Sequence, residues 1–246
     1  MKVLVVGGAG HVGGILRPVL EAHHQCVYFD RRPVPEAGPR SIIGDVNDDE
    51  AVRRALEGIE AVLYLAMGTE RGDPATCARI NPAFDVNVRG AYRFLYHTLD
   101  VGVRRFIYAS SMSVYWLRNG RRIDESVPTD AWDPYGISKR LGEYICQAAH
   151  QAYPDAIILA LRLYLPRSQE QWADYLRRKQ EASQEGSPMR DRIGPTGPKD
   201  VQELFLAALR CDKPGAHILQ TTGDVKEEQY PHDRAFGLLG WRPQGH

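Results

Sequence analysis

Neither charge sign dominates this 246-residue chain: 31 lysines and arginines are matched by 31 aspartates and glutamates, and no single-sign block stands out. That balance argues against a nucleic-acid partner and against a polybasic membrane contact. No apolar run is long enough to span a bilayer. The first residues enter a strand pattern directly, with no signal peptide, so a cytoplasmic protein with no membrane partner is expected. Cysteines are few and scattered: Cys26, Cys77, Cys146 and Cys211 form no C-x-x-C pair and read as reduced structural thiols. The histidines lack metal-ligand spacing, so no metal is expected, and His23-His24 suit a surface helix end. Internal repeats and low-complexity tracts are also missing. What remains is one large domain, or a main domain with a small appendage.

What the chain does have begins at once. Residues 2–14 read K-V-L-V-V-G-G-A-G-H-V-G-G. Gly7, Gly10 and Gly13 fall at G-x-x-G-x-x-G spacing after a buried apolar run, with His11 and Val12 between them at the start of a helix. Gly7 lets the turn form, Gly10 lets backbone N–H groups approach a pyrophosphate, and Gly13 lets helix and strand pack closely. The helix start offers orphan N–H donors and a partial positive charge. A glycine turn with no ligand is the bland reading of such a cluster. Context outweighs it: the amphipathic run Ile15, Leu16, Val19, Leu20 follows, and the next apolar run, Cys26-Val27-Tyr28-Phe29, ends in Asp30. That acid lies about 20 residues on, where a carboxylate can accept both ribose hydroxyls of NAD.

The alternation continues. Ser41-Ile42-Ile43 precedes Gly44-Asp45-Val46; 48–57 reads as helix, with Asp48 and Asp49 suiting its N-terminal dipole. Ala61 to Ala66 is a strand, Met67 to Asn81 a loop, Pro82 to Asp100 a long helix, Arg105 to Ser110 a strand, and a long loop reaches Pro134. A helix over 135–152 and a strand from Ala156 to Leu161 follow. Continuous rather than alternating apolar strands indicate a parallel sheet covered on both faces. Beyond Pro166 the pattern loosens: a charged helix from Gln169 to Gln184, a Gly- and Pro-rich loop from Glu185 to Lys199, a helix from Asp200 to Leu209, a strand from His217 to Thr221 and a helix from Pro231 to Leu239. Ligands of such sheets bind beyond the strand C-termini, here Gly7, Asp30, Asp45, Ala66, Ser110-Ser111 and Arg162 to Tyr164.

Two of these regions carry chemistry. In Tyr135-Gly136-Ile137-Ser138-Lys139 a phenol and an ammonium lie one helical turn apart on one face. A nearby cation favours the phenolate, which can take the proton of a substrate hydroxyl. A surface pair is the bland alternative. In Ser110-Ser111-Met112-Ser113-Val114-Tyr115 a strand-end hydroxyl can hold a substrate oxygen, although serines also simply terminate strands.

In combination, the glycine turn, the acid at the second strand, Ser-Ser-x-x-Val-Tyr and Tyr-x-x-x-Lys resemble the extended short-chain dehydrogenase/reductases, the NAD-dependent epimerase/dehydratase family. Asn87-Val88-Arg89-Gly90, Asp200-Val201 and Leu239-Gly240-Trp241-Arg242-Pro243 are further matches. The resemblance implies a Rossmann-type doubly wound parallel α/β sheet over 1–166 and a short substrate cap, interleaved with it, over 167–246. It implies Tyr135 as general acid/base, Lys139 binding the nicotinamide ribose and lowering the Tyr135 pKa, and Ser111 holding the reacting oxygen. Asp45 and Val46 would meet the adenine, Leu65 and Ala66 would flank the cofactor, and Asn87 would support the strand-end geometry. Met67, Met112, Ser113, Arg162 and Tyr164 are the substrate-facing candidates. A homodimer through helices 82–100 and 135–152 is also implied.

Three departures from the family pattern carry information. Trp116 replaces a glycine, and either narrows the pocket or covers the core. Leu165 stands where an asparagine is expected in Leu161-Arg162-Leu163-Tyr164-Leu165-Pro166. Only 167–199 separates that stretch from the next helix, and because the closing motif is present the cap reads as short by internal omission. The compact form resembles uronate dehydrogenases, in which case Arg162 meets a substrate carboxylate or keeps a structural role. Asp30 favours NAD, while Arg31 and Arg32 leave NADP open. The reading is therefore an NAD-dependent oxidoreductase on a small sugar, sugar acid or related alcohol. Its alternatives are a nucleotide-sugar epimerase with tightly held NAD, and a non-catalytic dinucleotide sensor. Dehydration is disfavoured, since Met112 and Ser113 supply no acid or base beside Ser111.

Overall fold

Strands that are apolar along their whole length need cover on both faces, and a parallel sheet flanked by helices supplies it. The computed structural model describes residues 1–68, 80–116, 120, 122–184 and 194–246. Cys77 and most of the loops expected over 67–81 and 185–199 lie outside the described residues. Seven strands, β1 (Lys2–Val6), β2 (Gln25–Asp30), β3 (Ser41–Ile43), β4 (Ala61–Tyr64), β5 (Arg105–Ser111), β6 (Ile157–Leu163) and β7 (Gly215–Thr221), form one sheet in the order β3-β2-β1-β4-β5-β6-β7. Every neighbouring pair is parallel. This is a Rossmann-type α/β sheet, and its order reverses between β1 and β4, the place where such sheets open a crevice.

Side chains alternate between faces, and the two faces bury separate cores. Val3, Val5, Leu63, Ile107 and Leu159 face α1 (His11–His23) and α7 (Pro198–Arg210), which contribute Leu16, Leu20, Leu204 and Phe205. Leu4, Val6, Val62, Tyr64 and Phe106 pack with α2 (Asp49–Ala55) and the helices of the opposite face through Val52, Phe94 and Leu95. The start of α2 is one residue later than its sequence pattern suggests, because the Asp48 carboxylate accepts from the Glu50 and Ala51 N–H groups and acts as the cap.

One expected helix is interrupted. In place of a uniform helix to Asp100, α3 (Ile80–Phe84) passes through a wide π turn, Asp85–Gly90, into α4 (Ala91–Asp100). Two tyrosines from the sheet explain how the turn is held. The Tyr64 hydroxyl donates to the Val86 carbonyl at 2.6 Å and the Tyr108 hydroxyl to the Asn87 carbonyl at 3.3 Å, satisfying oxygens there.

The helix carrying the Tyr-x-x-x-Lys pair, α5 (Pro134–Ala152), begins with Asp133 accepting from Gly136 N–H and Pro134 in the first turn. It lies so close to β5 that a Cβ at Gly142 would sit 2.2 Å from the Tyr108 hydroxyl. The chain beyond Pro166 mostly returns to the sheet: α7 packs on one of its faces, and β7 pairs with β6 along its whole length. Among the described residues of this stretch, α6 (Gln169–Gln184) is mostly exposed and is anchored by a buried Trp172. Finally α8 (Asp233–Leu239) ends at Gly240 with φ 67°, and Trp241 donates to the Asp200 carbonyl at 3.0 Å. Among the described residues no helix is long and apolar enough to cross a membrane.

His232, fully buried beside α8, is hydrogen-bonded through Nε2 to Thr222 Oγ1 at 3.1 Å and meets the Trp241 ring edge-on. Burial holds its pKa below 6.5, against the nearby Glu227 carboxylate. The unfolded chain takes up this proton near pH 6.5 and the folded chain only lower, so its contribution is intact above that pH and is lost as pH falls. Urea midpoints should fall between pH 7.5 and 5, this residue contributing at most about 1.4 kcal/mol per pH unit. His232→Gln should flatten that slope; an unchanged slope would exclude His232 as its source.

Candidate active site

The strand C-termini open onto a cavity of about 1030 Å³ that runs from the end of β3 across to the end of β6. Its middle is the first turn of the chain. Gly7 has φ 86°, donates its N–H to Phe29 at 2.8 Å, and leaves only 2.6 Å between a hypothetical Cβ and the Ala66 nitrogen. Gly10 begins α1 with no side-chain cap, and no acid occupies the first turn. The orphan N–H groups at that end, with Gly10, His11 and Val12 in the cavity wall, fit the pyrophosphate of a dinucleotide. Gly13 lies behind the wall, where a Cβ would meet the Gly8 carbonyl at 2.5 Å; it brings helix and turn together. Leu65 and Ala66 line the same middle section.

Asp30, Arg31, Arg32, Asp45 and Val46 form the wall at the β2–β3 end. The Asp30 carboxylate accepts from Ala9 N–H at 3.1 Å and Arg32 N–H at 3.0 Å, so it is aimed and keeps free lone pairs for ribose hydroxyls. The Arg32 guanidinium donates to the Ala9 carbonyl at 2.9 Å, while the Arg31 side chain has no hydrogen bond or ion pair among the described residues.

Ser111, Ser113, Tyr135 and Lys139 gather at the other end. Ser111 Oγ accepts from Ser113 N–H at 3.1 Å, capping a short turn over Met112–Val114. Lys139 is 2% exposed, donates to the Ala109 carbonyl at 2.7 Å, and lies 5.8 Å from the Tyr135 ring centre. Burial lowers its pKa to about 7, with Glu143 working the other way. The Tyr135 phenol moves up rather than down: desolvation raises its pKa, and a hydrogen-bonding interaction with Ser111 only partly opposes this. The expected lowering is by Lys139 together with the positive nicotinamide ring; the protein's own groups shift the phenol upward. The ammonium is turned toward a carbonyl, and burial disfavours both charged forms.

Other expectations shift for equally local reasons. Asn87, expected to support the strand-end geometry and to join the cofactor-binding set, makes the supporting contacts but is not among the residues that line the cavity. Its Oδ1 accepts from Gly68 N–H at 2.9 Å and its Nδ2 donates to Ser138 Oγ at 2.9 Å, tying the β4 exit to the first turns of α5. Met112 is fully buried in a satellite cluster with Val114, Tyr115, Ile123 and Tyr230, away from the wall. Tyr164 packs near Tyr230, its carbonyl accepting from Thr196, and is also outside the wall. Arg162 is committed: Nε and Nη2 each reach Glu143 at 2.8 Å, and Nη1 donates to the Tyr115 hydroxyl at 2.6 Å. Ser110 Oγ donates to the same carboxylate at 2.6 Å. Met67 does line the cavity. Trp116 neither narrows the pocket nor covers the core; it is exposed and tilted against the exposed Trp132 at 4.8 Å.

Sequence reasoning missed the roof of the cavity, formed by Leu165, Pro166, Arg167 and Gln171. The His11 imidazole meets the Pro166 carbonyl at 2.9 Å, so its Nε2 carries the proton and joins glycine turn to roof. Leu165 has φ 42°, a left-handed conformation that an asparagine accommodates more readily. The signal available was Arg167 itself, a cation immediately after a strand-end proline.

A glycine turn at a sheet switch point with Ser, Tyr and Lys across the crevice defines a dinucleotide-dependent enzyme of the short-chain dehydrogenase/reductase type. The model of the NAD dependent epimerase/dehydratase family matches residues 3–187, and the chain belongs to that family, whose cofactor is NAD. The NAD-dependent glucose-6-phosphate dehydrogenase of Haloferax volcanii is 25% identical over 98% of this chain and 92% of its own. UDP-glucose 4-epimerase of Streptomyces lividans is 32% identical over 56% of this chain but only 44% of its own. Among solved structures, a mutated uronate dehydrogenase superposes with TM-score 0.77 at 24% identity, covering 99% of this chain and 81% of that one. MoeE5 in complex with UDP-glucuronic acid and NAD gives TM-score 0.79 at 23% identity, with 99% and 94% coverage. At these identities the two structures establish the shared fold.

Removing one partner of a buried ion pair leaves the other charge unsatisfied. Glu143→Gln should therefore cost about 3–5 kcal/mol in urea unfolding. Glu50→Gln, at the exposed pair with Arg54, should leave the midpoint unchanged. A small loss at Glu143 would mean the pair does not brace α5.

Proposed function

We propose that this protein transfers hydride between NAD and a hydroxyl or carbonyl carbon of a small sugar, sugar acid or related alcohol, with Tyr135 as acid/base. The observation that carries this reading is the gathering of Ser111, Tyr135 and Lys139 in one wall of the dinucleotide-sized cavity. Ser111 would hold and orient the reacting oxygen. Tyr135, whose pKa burial raises, is a ready donor to a carbonyl in the reducing direction. In the oxidising direction NAD accepts the hydride and brings a cationic ring that favours the phenolate. Lys139, already buried beside Tyr135, would hold the nicotinamide ribose. Gly7, Gly10, His11 and Val12 would bind the pyrophosphate, Asp30 the adenosine ribose, and Asp45 with Val46 the adenine. Arg31 is the residue through which NADP would be tolerated.

The stretch over 167–246 would act as a cap only through its first part, since β7 completes the sheet and α7 covers one of its faces. A short cap suits a free sugar better than a nucleotide sugar. The nucleotide-sugar epimerases among the relatives favour the alternative reading, but this chain spans under half of the S. lividans enzyme. A sensor without turnover would have no use for the Ser111 and Tyr135 hydroxyls. Exposed Tyr92, Leu141 and Tyr144 on α4 and α5 support a homodimer through those helices. A cytoplasmic location accords with buried, unpaired Cys26, Cys146 and Cys211.

Incubation with NAD and a panel of uronates and aldoses should yield NADH with at least one of them. Tyr135→Phe should lower kcat by about 10²–10⁴ while leaving NAD affinity within a small factor. NADH from none of the panel would overturn the proposal, and full activity in Tyr135→Phe would remove Tyr135 from the chemistry.

A further inference from the structure

Arg162, the arginine that sequence reasoning offers for a substrate carboxylate, is neutralised by Glu143 and sealed from the cavity. Arg167, five residues on, is in the opposite situation. It lines the cavity, yet among the described residues its guanidinium makes no hydrogen bond and no ion pair, and its Nε is buried without a partner. A guanidinium carries five N–H donors, and a buried donor left unmade is costly.

Its backbone is held in place. Arg167 N–H donates to the Thr196 carbonyl at 3.0 Å, and the preceding Pro166 carbonyl is bound by His11 at 2.9 Å. The cation therefore stands at the exit of β6, beside the strand that ends in Ser111. Among the described residues no carboxylate lines that end of the cavity. The acids of the wall, Asp30 and Asp45, belong to the β2 and β3 ends. Glu143, the acid one turn beyond Lys139, is engaged by Arg162 and Ser110.

We propose that Arg167 is the specificity-determining residue for an anionic group, a carboxylate or phosphate ester, on the substrate. The inference rests on the reading of the site as a small-sugar oxidoreductase and narrows it to charged sugars. The other anion that enters this cavity is the pyrophosphate of NAD, but the uncapped start of α1 already provides for it. Gln171, in the first turn of α6, adds an uncharged hydrogen-bonding group to the same roof.

The test compares wild type, Arg167→Gln and Arg167→Lys on glucuronate, glucose 6-phosphate and glucose, with NAD affinity measured separately by fluorescence titration. Losing a charge-assisted bond should raise KM for the charged substrate about tenfold or more in Arg167→Gln. The KM for glucose and the Kd for NAD should stay within about twofold, since neither loses that bond, and Arg167→Lys should recover part of the loss. Equal losses on charged and neutral sugars would overturn the assignment. A tenfold weaker NAD affinity would overturn it too, placing Arg167 at the pyrophosphate. If wild type oxidises only neutral sugars, the redox reading stands and the Arg167 assignment falls. If wild type oxidises none, calorimetry of glucuronate and glucose 6-phosphate on the NAD-loaded protein decides: binding lost in Arg167→Gln upholds the assignment, and absent or unaltered binding overturns it.

Discussion

Where α5 meets β6, a carboxylate and a guanidinium face each other out of contact with water. Glu143 receives both arms of Arg162 and the Ser110 hydroxyl, and Arg162 reaches on to Tyr115. Bringing two charges into a low-dielectric interior is costly, and their bidentate geometry offsets the cost only while every partner is in place. Because Glu143 lies one turn past Lys139, and Ser110 is the neighbour of Ser111, this cluster fixes the helix that carries the acid/base candidates against the strand that carries the serine. The close approach of α5 to Tyr108 at Gly142 acts in the same direction. Asn87 completes the brace from the β4 side.

That bracing has an electrostatic consequence. The groups it holds are held in a dry place, so burial drives both Tyr135 and Lys139 toward their neutral forms. A phenol and an amine both pushed toward neutrality by burial make a weak base on their own. On the proposed reading the cofactor would supply part of the charge needed for oxidation, a division of labour in which protein groups orient and the dinucleotide supplies the hard chemistry. Arg167, without a partner for its guanidinium among the described residues, lines the same cavity and is opposite in character to the acids at the β2 and β3 ends.

Much of this was legible in the order of residues. Continuous apolar strands, glycines at G-x-x-G-x-x-G spacing and Asp30 at the end of the second strand are local patterns, and each leads to the parallel sheet and its crevice. Tyr135 and Lys139 share a helix face for reasons of periodicity alone. What could not be read were long-range partners. Arg162 and Glu143 are 19 residues apart with nothing in either neighbourhood to announce the pair. The π turn at Asp85–Gly90 depends on tyrosine hydroxyls from two other strands, and Trp116 finds Trp132 across the intervening loop.

Sequence alone therefore determined the element types, the dinucleotide crevice and the identity of the residues with reactive side chains, because these follow from spacing along the chain and from the chemistry of each residue. Tertiary structure decided which charged groups are available. It consumed Arg162, kept Asn87 and Met112 off the cavity wall, raised the Tyr135 pKa and left the Arg167 guanidinium without a partner among the described residues. Availability depends on which groups meet in three dimensions and on how much water remains around them, and neither is encoded in local spacing.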